Sequence, residues 1–438
     1  MKKVLIITYY WPPSGGAGVQ RWLKFVKYLR EYEWEPVVYT PENPEVPAFD
    51  ISLEKDIPEN LTVLKTKIRE PYSAYKRFVG RKKDDKIKAG FLSEKKNPSL
   101  LEKISVWIRG NLFIPDARKF WIKPSIKYLN DYLKNNHVDV LVSTGPPHSM
   151  HLIALGLKKK LDIPWLADFR DPWTNIDFYH DLMLSKNADK KHRKLEHEVL
   201  SVADSITVIS PSMANDFNRL YQRNYSVITN GFDKSDTGQN ELELDMKFSI
   251  SHIGSMVKTR NPEILWQALH EIIIENRDFK KDLEIKLIGQ VDYSVDQSMN
   301  KFKIDQFVRK TDYLPHDEVV KIQRKSQLLL LLINDTPNSK MVLTGKLFEY
   351  LNSGRPILCI GPKDGDAARI IKESKTGIVV DFNEKAKIKS EILTFYKNFL
   401  SNKFDKKYKA KNINKYSRKE LTGDLASLLN EITLNKKS

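Results

Sequence analysis

Cysteine is almost absent. Cys359 is the single thiol in 438 residues, so no disulfide can form within the chain. It lies in the apolar stretch Ile357 to Ile360, where it reads as packing. Long hydrophobic runs are missing too. The longest, Leu328 to Ile333, has the length of a strand and falls far short of the ~20 residues that a membrane-spanning helix needs. The opening Met-Lys-Lys-Val-Leu-Ile-Ile-Thr turns polar too early for a secretory leader and carries no small-residue cleavage site. The expectation is a cytoplasmic protein. Repeats and low-complexity tracts are also lacking, which excludes solenoids and arrays.

What is present is a chain too long for one ordinary core, with 41% hydrophobic and 10% aromatic residues, so two globular domains are expected. The net charge of +17 is unevenly spread. Residues 65–134 hold 19 Lys or Arg against 7 Asp or Glu, and residues 385–438 hold 14 against 5. The rest of the chain is close to neutral. In the first basic stretch, Trp107, Phe113, Phe120 and Trp121 stand among Lys and Arg. That mixture suits an anionic membrane surface; the competing reading is a solvated basic insertion whose aromatics cap a core. Nucleic acid is not expected, because no recognised module accompanies the charge.

Strand, glycine loop, helix and strand follow one another from the N-terminus. Lys3 to Thr8 reads as a strand, Tyr9 to Gly18 as a Pro- and Gly-rich loop, and Val19 to Tyr32 as a helix with Arg21, Lys24, Lys27 and Arg30 outward. Gly15, Gly16 and Gly18 do not have the dinucleotide spacing. They either let a ligand approach the backbone or serve a turn that needs positive φ. After the basic stretch the alternation resumes. Strands at 139–144 and 165–169 end in Gly145-Pro146-Pro147-His148 and Arg170-Asp171-Pro172-Trp173. Polar clusters just past strand ends are where open α/β sheets bind ligands. A polar stretch, 236–245, precedes a second α/β series that starts at Phe248.

In that second series, Leu343 to Ser353 reads as a helix between two buried strands, stopped by Gly354. Lys346 and Glu349 share a face near its start. They make either a surface ion pair or part of a ligand site, since amides at such a helix start favour anions. The architecture expected from these elements is α/β: two Rossmann-like, doubly wound domains facing across a cleft. The expected limits are 1–233 (with the insertion 65–134), 234–415, and a last helix, 416–438, returning to the N-terminal domain.

Four segments, in order, resemble the glycosyltransferase family 4 pattern of GT-B fold: Tyr10 to Gly18, Ala167 to Trp173, Asn230-Gly231-Phe232-Asp233, and Lys346 to Pro356. The resemblance covers nearly the whole chain and points to bacterial enzymes of surface-polysaccharide assembly. It implies retaining transfer of a sugar from a nucleoside-diphosphate sugar to a glycan or lipid-linked acceptor. Donor contacts are implied for Gly15, Gly16, Gly18, Lys258, Arg260, Thr344, Gly345 and Glu349, with Glu349 holding the ribose. The catalytic set would be Arg170, Asp171 and Lys346, and the acceptor would meet His148 and Trp173. No cofactor or metal is implied, and Asp364-Gly365-Asp366 reads as a turn. The chain departs from the pattern at Met341, where the family has its first glutamate, and at Ser255, where many members have arginine. It also has Arg170, which cannot serve as a base, where many members have a histidine. The alternatives are a sugar-nucleotide epimerase of the same fold and a non-catalytic protein at the membrane surface. Peripheral attachment to the inner face of the plasma membrane is the matching location.

Overall fold

The computed structural model describes residues 1–46, 48–70, 100–237, 242–401 and 410–435. Most of the Lys-rich tract before Leu100, including Arg81 to Lys83 and Lys95-Lys96, lies outside the described residues. The chain divides into two compact units: 1–229 with 418–438, and 230–417.

The first unit is built on a seven-stranded parallel sheet of order β3-β2-β1-β4-β5-β6-β7. Its strands are β1 (Lys2–Ile7), β2 (Trp34–Pro41), β3 (Thr62–Thr66), β4 (Val140–Gly145), β5 (Trp165–Phe169), β6 (Ser205–Val208) and β7 (Ser226–Val227). β4 is buried along its whole length, and β1 from Val4 onward, as in parallel sheets whose two faces are covered by helices. The helices are α1 (Ala17–Leu29), α2 (Leu100–Leu112), α3 (Lys119–Leu133), α4 (Ser149–Leu161), α5 (Lys186–Val202), α6 (Pro211–Leu220) and α14 (Arg418–Asn435). α14 is the last described element of the chain. It lays Leu421, Leu425 and Leu429 into the same core as Trp22 and Val26 of α1.

α1 corrects the outward placement of its cations. Arg21 and Lys24 are each only 1% exposed. The helix is covered on more than one side, so its basic stripe must find partners inside. Arg21 pairs with Asp168 on β5 at 2.8 Å, and Lys24 pairs with Asp56 at 2.8 Å.

The second unit carries a six-stranded parallel sheet of order β10-β9-β8-β11-β12-β13. These strands are β8 (Phe248–Ile253), β9 (Leu283–Ile288), β10 (Val308–Thr311), β11 (Leu328–Leu332), β12 (Ile357–Ile360) and β13 (Gly377–Val380). Its helices are α7 (Glu263–Glu275), α8 (Arg277–Asp282), α9 (Tyr293–Lys301), α10 (His316–Lys325), α11 (Gly345–Ser353), α12 (Asp366–Ser374) and α13 (Lys385–Leu400). In both sheets the order reverses beside the first strand of the unit, β1 or β8. Such switch points open a crevice at the strands' carboxyl ends.

Candidate functional site

β8 runs Phe-Ser-Ile-Ser-His-Ile and stops at Gly254, whose φ of +104° only glycine adopts without strain. Space makes the same demand. A Cβ on Gly254 would lie 2.5 Å from Lys346 Nζ, and one on Gly289 would lie 3.0 Å from the Gly254 carbonyl carbon. The two glycines bring a bare strand end up against the first turn of α11. The Tyr350 hydroxyl, one turn further along α11, accepts a hydrogen bond from the Ile253 amide at 3.1 Å and fixes the helix against β8.

Lys346 is the centre of this arrangement. It is half-buried and makes no hydrogen bond or ion pair among the described residues. Desolvation, followed by repulsion from the Arg260 guanidinium, pushes its pKa well below the usual lysine value, with Glu349 opposing only in part. Arg260 is held in place, its Nε donating to Asn334 Oδ1 at 2.8 Å and its Nη1 to the Ser255 carbonyl at 2.8 Å. Lys258 is exposed in the same short turn. Thr344 caps α11 by position, yet its buried hydroxyl has no hydrogen-bond partner, and open space surrounds the position where Gly345 would carry a Cβ. The start of α11 therefore carries Lys346, with Arg260 close to that amine, and helix amides beside cations attract phosphate.

Glu349 lies one turn further on, half-buried, and accepts a hydrogen bond from Gln323 Nε2 at 2.7 Å. It forms no ion pair with Lys346, so the surface-pair reading does not describe this structure. Asn230, at the start of the unit, reaches the residue just before the cap of α11, its Nδ2 donating to the Leu343 carbonyl at 3.4 Å. Met341 ends the short turn Ser339–Met341 just before α11.

Sequence reasoning missed two residues here. His252 is buried on β8, with Nδ1 bonded to the Leu330 carbonyl at 3.0 Å. A histidine within a strand that leads to a glycine turn was the available signal. Gln323 was illegible, since nothing in its neighbourhood ties α10 to Glu349. Asp364 pairs with Lys340 and Asp366 with Arg369, and among the described residues no group of three metal-ligating side chains occurs.

In the first unit, the other predicted residues gather at the carboxyl ends of β4 and β5. Arg170 donates through Nη1 to the Gly18 carbonyl at 2.7 Å, through Nη2 to the Pro146 carbonyl and through Nε to the Gly145 carbonyl. Its charge is therefore directed at main-chain oxygens, and it ties the glycine loop to β4. It forms no ion pair with Asp168, which is held by Arg21, Trp22, Thr144 and Thr207. Asp171 is exposed beside it. Gly16 has φ +93° at the cap of α1, Gly15 donates its amide to the Ala48 carbonyl at 2.8 Å, and a Cβ on Gly18 would meet the Tyr10 ring at 2.9 Å. Two of these glycines thus have structural reasons of their own.

His148 and Trp173 are buried and stacked face to face with centroids 4.6 Å apart, and Trp173 Nε1 donates to His192 Nδ1 at 3.1 Å. Burial keeps the His148 ring neutral by pushing its pKa well down, helped by His151. Both side chains are largely shielded from solvent. They build a wall.

No family model matches the chain, and no curated protein matches it. Solved structures do, along their whole lengths. Sucrose-phosphate synthase from Thermosynechococcus elongatus is similar at 11% identity over 100% of both chains, with a TM-score of 0.62. The α,α-trehalose-phosphate synthase (UDP-forming) from Burkholderia vietnamiensis is similar at 9% identity over 100% of this chain and 98% of that one, with a TM-score of 0.62. WaaG, a glycosyltransferase involved in lipopolysaccharide biosynthesis, is similar at 11% identity over 97% and 99% of the two chains, with a TM-score of 0.59. Identities this low bear on fold alone, and the fold is the two-domain Rossmann-like α/β fold of the GT-B glycosyltransferases.

Proposed function

We propose that the chain is a retaining glycosyltransferase of the family 4 type. It would move a sugar from a nucleoside-diphosphate sugar to a glycan or lipid-linked acceptor in the assembly of cell-surface polysaccharide. One observation carries the reading: Lys346, which makes no hydrogen bond or ion pair among the described residues, stands close to Arg260 at the glycine-lined end of β8, in the first turn of α11. A diphosphate fits that chemistry, with two cations and free helix amides for its oxygens. Glu349 then takes the ribose hydroxyls, and Lys258 guards the entrance.

In the transfer, the bond between the anomeric carbon and the diphosphate oxygen breaks, and the acceptor oxygen bonds to that carbon on the same face. The acceptor's proton passes to the departing diphosphate, so no protein base is required. Lys346 and Arg260 stabilise the charge that grows on the leaving group, and this is where binding energy lowers the barrier. Acceptor contacts are assigned to the first unit, where Arg170 acts by positioning the glycine loop and Asp171 is the exposed polar group. His148 and Trp173 shape the wall behind it.

The test is incubation of the full chain with a panel of UDP- and GDP-sugars. Release of free UDP or GDP supports transfer. An epimerised donor without release points to the isomerase, and neither product points to a non-catalytic protein. Glu349→Ala is expected to raise the KM for the donor about tenfold or more, as lost hydrogen bonds to the ribose. Unchanged turnover and unchanged donor affinity in that variant would remove the central assignment.

A further inference from the structure

The buried rings at the carboxyl end of β4 form a chain in which each hydrogen can be placed. Trp165 Nε1 is a donor only, and it gives its hydrogen to Ser143 Oγ at 2.8 Å. Ser143 Oγ lies 2.8 Å from His151 Nδ1, and both residues are fully buried. Among the described residues the Ser143 hydroxyl has no other acceptor, so its hydrogen goes to Nδ1. Burial, opposed in part by Asp168, holds the His151 pKa down to about 3, and the ring carries a single hydrogen at neutral pH. With Nδ1 accepting, that hydrogen is on Nε2.

His151 Nε2 and His148 Nδ1 are both enclosed, and neither has a hydrogen-bond partner. A Cβ on Gly145 would lie 2.5 Å from the first and 3.1 Å from the second. The two nitrogens therefore converge on the space that this glycine leaves open. Ring stacking holds them there: His151 lies on Phe169 with centroids 4.3 Å apart, and His148 lies on Trp173. An N–H facing a lone pair attracts, whereas two N–H groups facing each other repel. The neutral His148 ring accordingly leaves Nδ1 bare and carries its hydrogen on Nε2. That second nitrogen also lacks a partner among the described residues, but it is not enclosed.

We propose that Ser143 and His151 are positioning residues that fix His148 as a hydrogen-bond donor, its Nε2–H directed at an oxygen of the carbohydrate acceptor. The identity of the ligand rests on the transfer reading; the order of hydrogens along the rings does not. A nitrogen that carries hydrogen has no lone pair with which to take a proton. His148 thus orients the acceptor without serving as its base, in keeping with transfer of the proton to the departing diphosphate. An acceptor lacking that oxygen leaves the donor unpaired and is selected against.

The experiment is nuclear magnetic resonance of the full chain labelled with nitrogen-15 at its nine histidines, near neutral pH. The shifts of the two ring nitrogens distinguish N–H from lone pair, and the spectrum of His148→Gln assigns the signals. His148 is expected in the Nε2–H form. In Ser143→Ala and in His151→Phe the Nδ1–H form should rise from about a tenth or less to about half of the molecules. His151→Gln, whose amide can donate again, should reverse that change. Ser143→Ala removes one hydroxyl only, so the test stands even where the ring substitution does not fold. An Nδ1–H form in the unaltered chain, or an Nε2–H form that both Ser143→Ala and His151→Phe leave as it was, overturns the proposal. Methyl α-glucoside, methyl α-galactoside and methyl α-mannoside are then titrated into the unaltered chain. At least one should move the His148 Nε2 resonance, and movement by none overturns the assignment to a carbohydrate. No donor sugar is present in any of these measurements, so their failure is distinct from a failure to release UDP or GDP.

Discussion

Lys346 and Arg21 are both cations in confined surroundings, and they differ in whether an anion is supplied. Arg21 has one. Burial would raise the Asp168 carboxyl, but the Arg21 guanidinium and the hydrogen bonds from Trp22 and Thr144 overcome it and hold the pKa at about 2. Because that value lies below the ordinary one of 3.8, the pair's stabilisation is fully present above that pH and is lost as pH falls towards about 2. Arg21→Met leaves the buried Asp168 carboxylate without its counter-charge and should destabilise the protein by about 3–5 kcal/mol, read from urea unfolding at neutral pH. Lys346 has no such partner, and its depressed pKa has the opposite linkage. Binding of an anionic nucleotide should draw a proton onto the amine, so affinity rises as pH falls through the depressed value. Titration calorimetry of UDP or GDP in buffers of different ionisation enthalpy measures that uptake. It should vanish in Lys346→Met together with most of the binding.

At the scale of elements, most strands were legible and two of the sheet edges were not. β5, β8, β12 and β13 span the residues that the sequence pattern gives them, although β8 carries two serines and a histidine and β13 is an edge. β3 (Thr-Val-Leu-Lys-Thr) and β10 (Val-Arg-Lys-Thr) are edge strands with polar positions, and a hydrophobic pattern passes over them. α1 defeats helical periodicity for a related reason: its basic stripe is buried through ion pairs that only the folded chain brings together. The candidate site divides in the same way. Lys346 and Glu349 could be found because they sit at a loop-to-helix junction after a strand, and Arg260 through the family resemblance. Gln323 could not, because it acts across two helices far apart in sequence. α10 and α11 are tied at the site by the Gln323–Glu349 hydrogen bond. Gln323→Leu should free the Glu349 side chain to rotate, raising the donor KM a few-fold with little change in kcat. Steady-state kinetics over donor concentration gives both numbers.

For the whole molecule, the division at Thr229 and Arg418 matters more than the count of strands. The first unit is discontinuous: its last helix, α14, is separated from the rest of it by the second unit. Leu421, Leu425, Leu429 and Ile432 are buried against α1 and its neighbours. At about 1.5–3 kcal/mol for each fully buried large side chain, these four contribute about 6–12 kcal/mol, comparable to the net stability of an ordinary domain. A chain ending at Ser417 is therefore expected to lose the cooperative unfolding of the first unit. Differential scanning calorimetry should show the transition of the second unit retained and that of the first shifted down or absent.

That discontinuity also sets an order of events during synthesis. The ribosome delivers the strands of the first unit, then the whole of the second, and only then the helix that covers α1. Until those residues emerge, the nascent first unit carries an uncovered apolar groove, and the second unit has every residue it needs to fold ahead of it. Chaperone capture should accordingly persist for chains truncated at residue 417 and be absent for chains that run through residue 435.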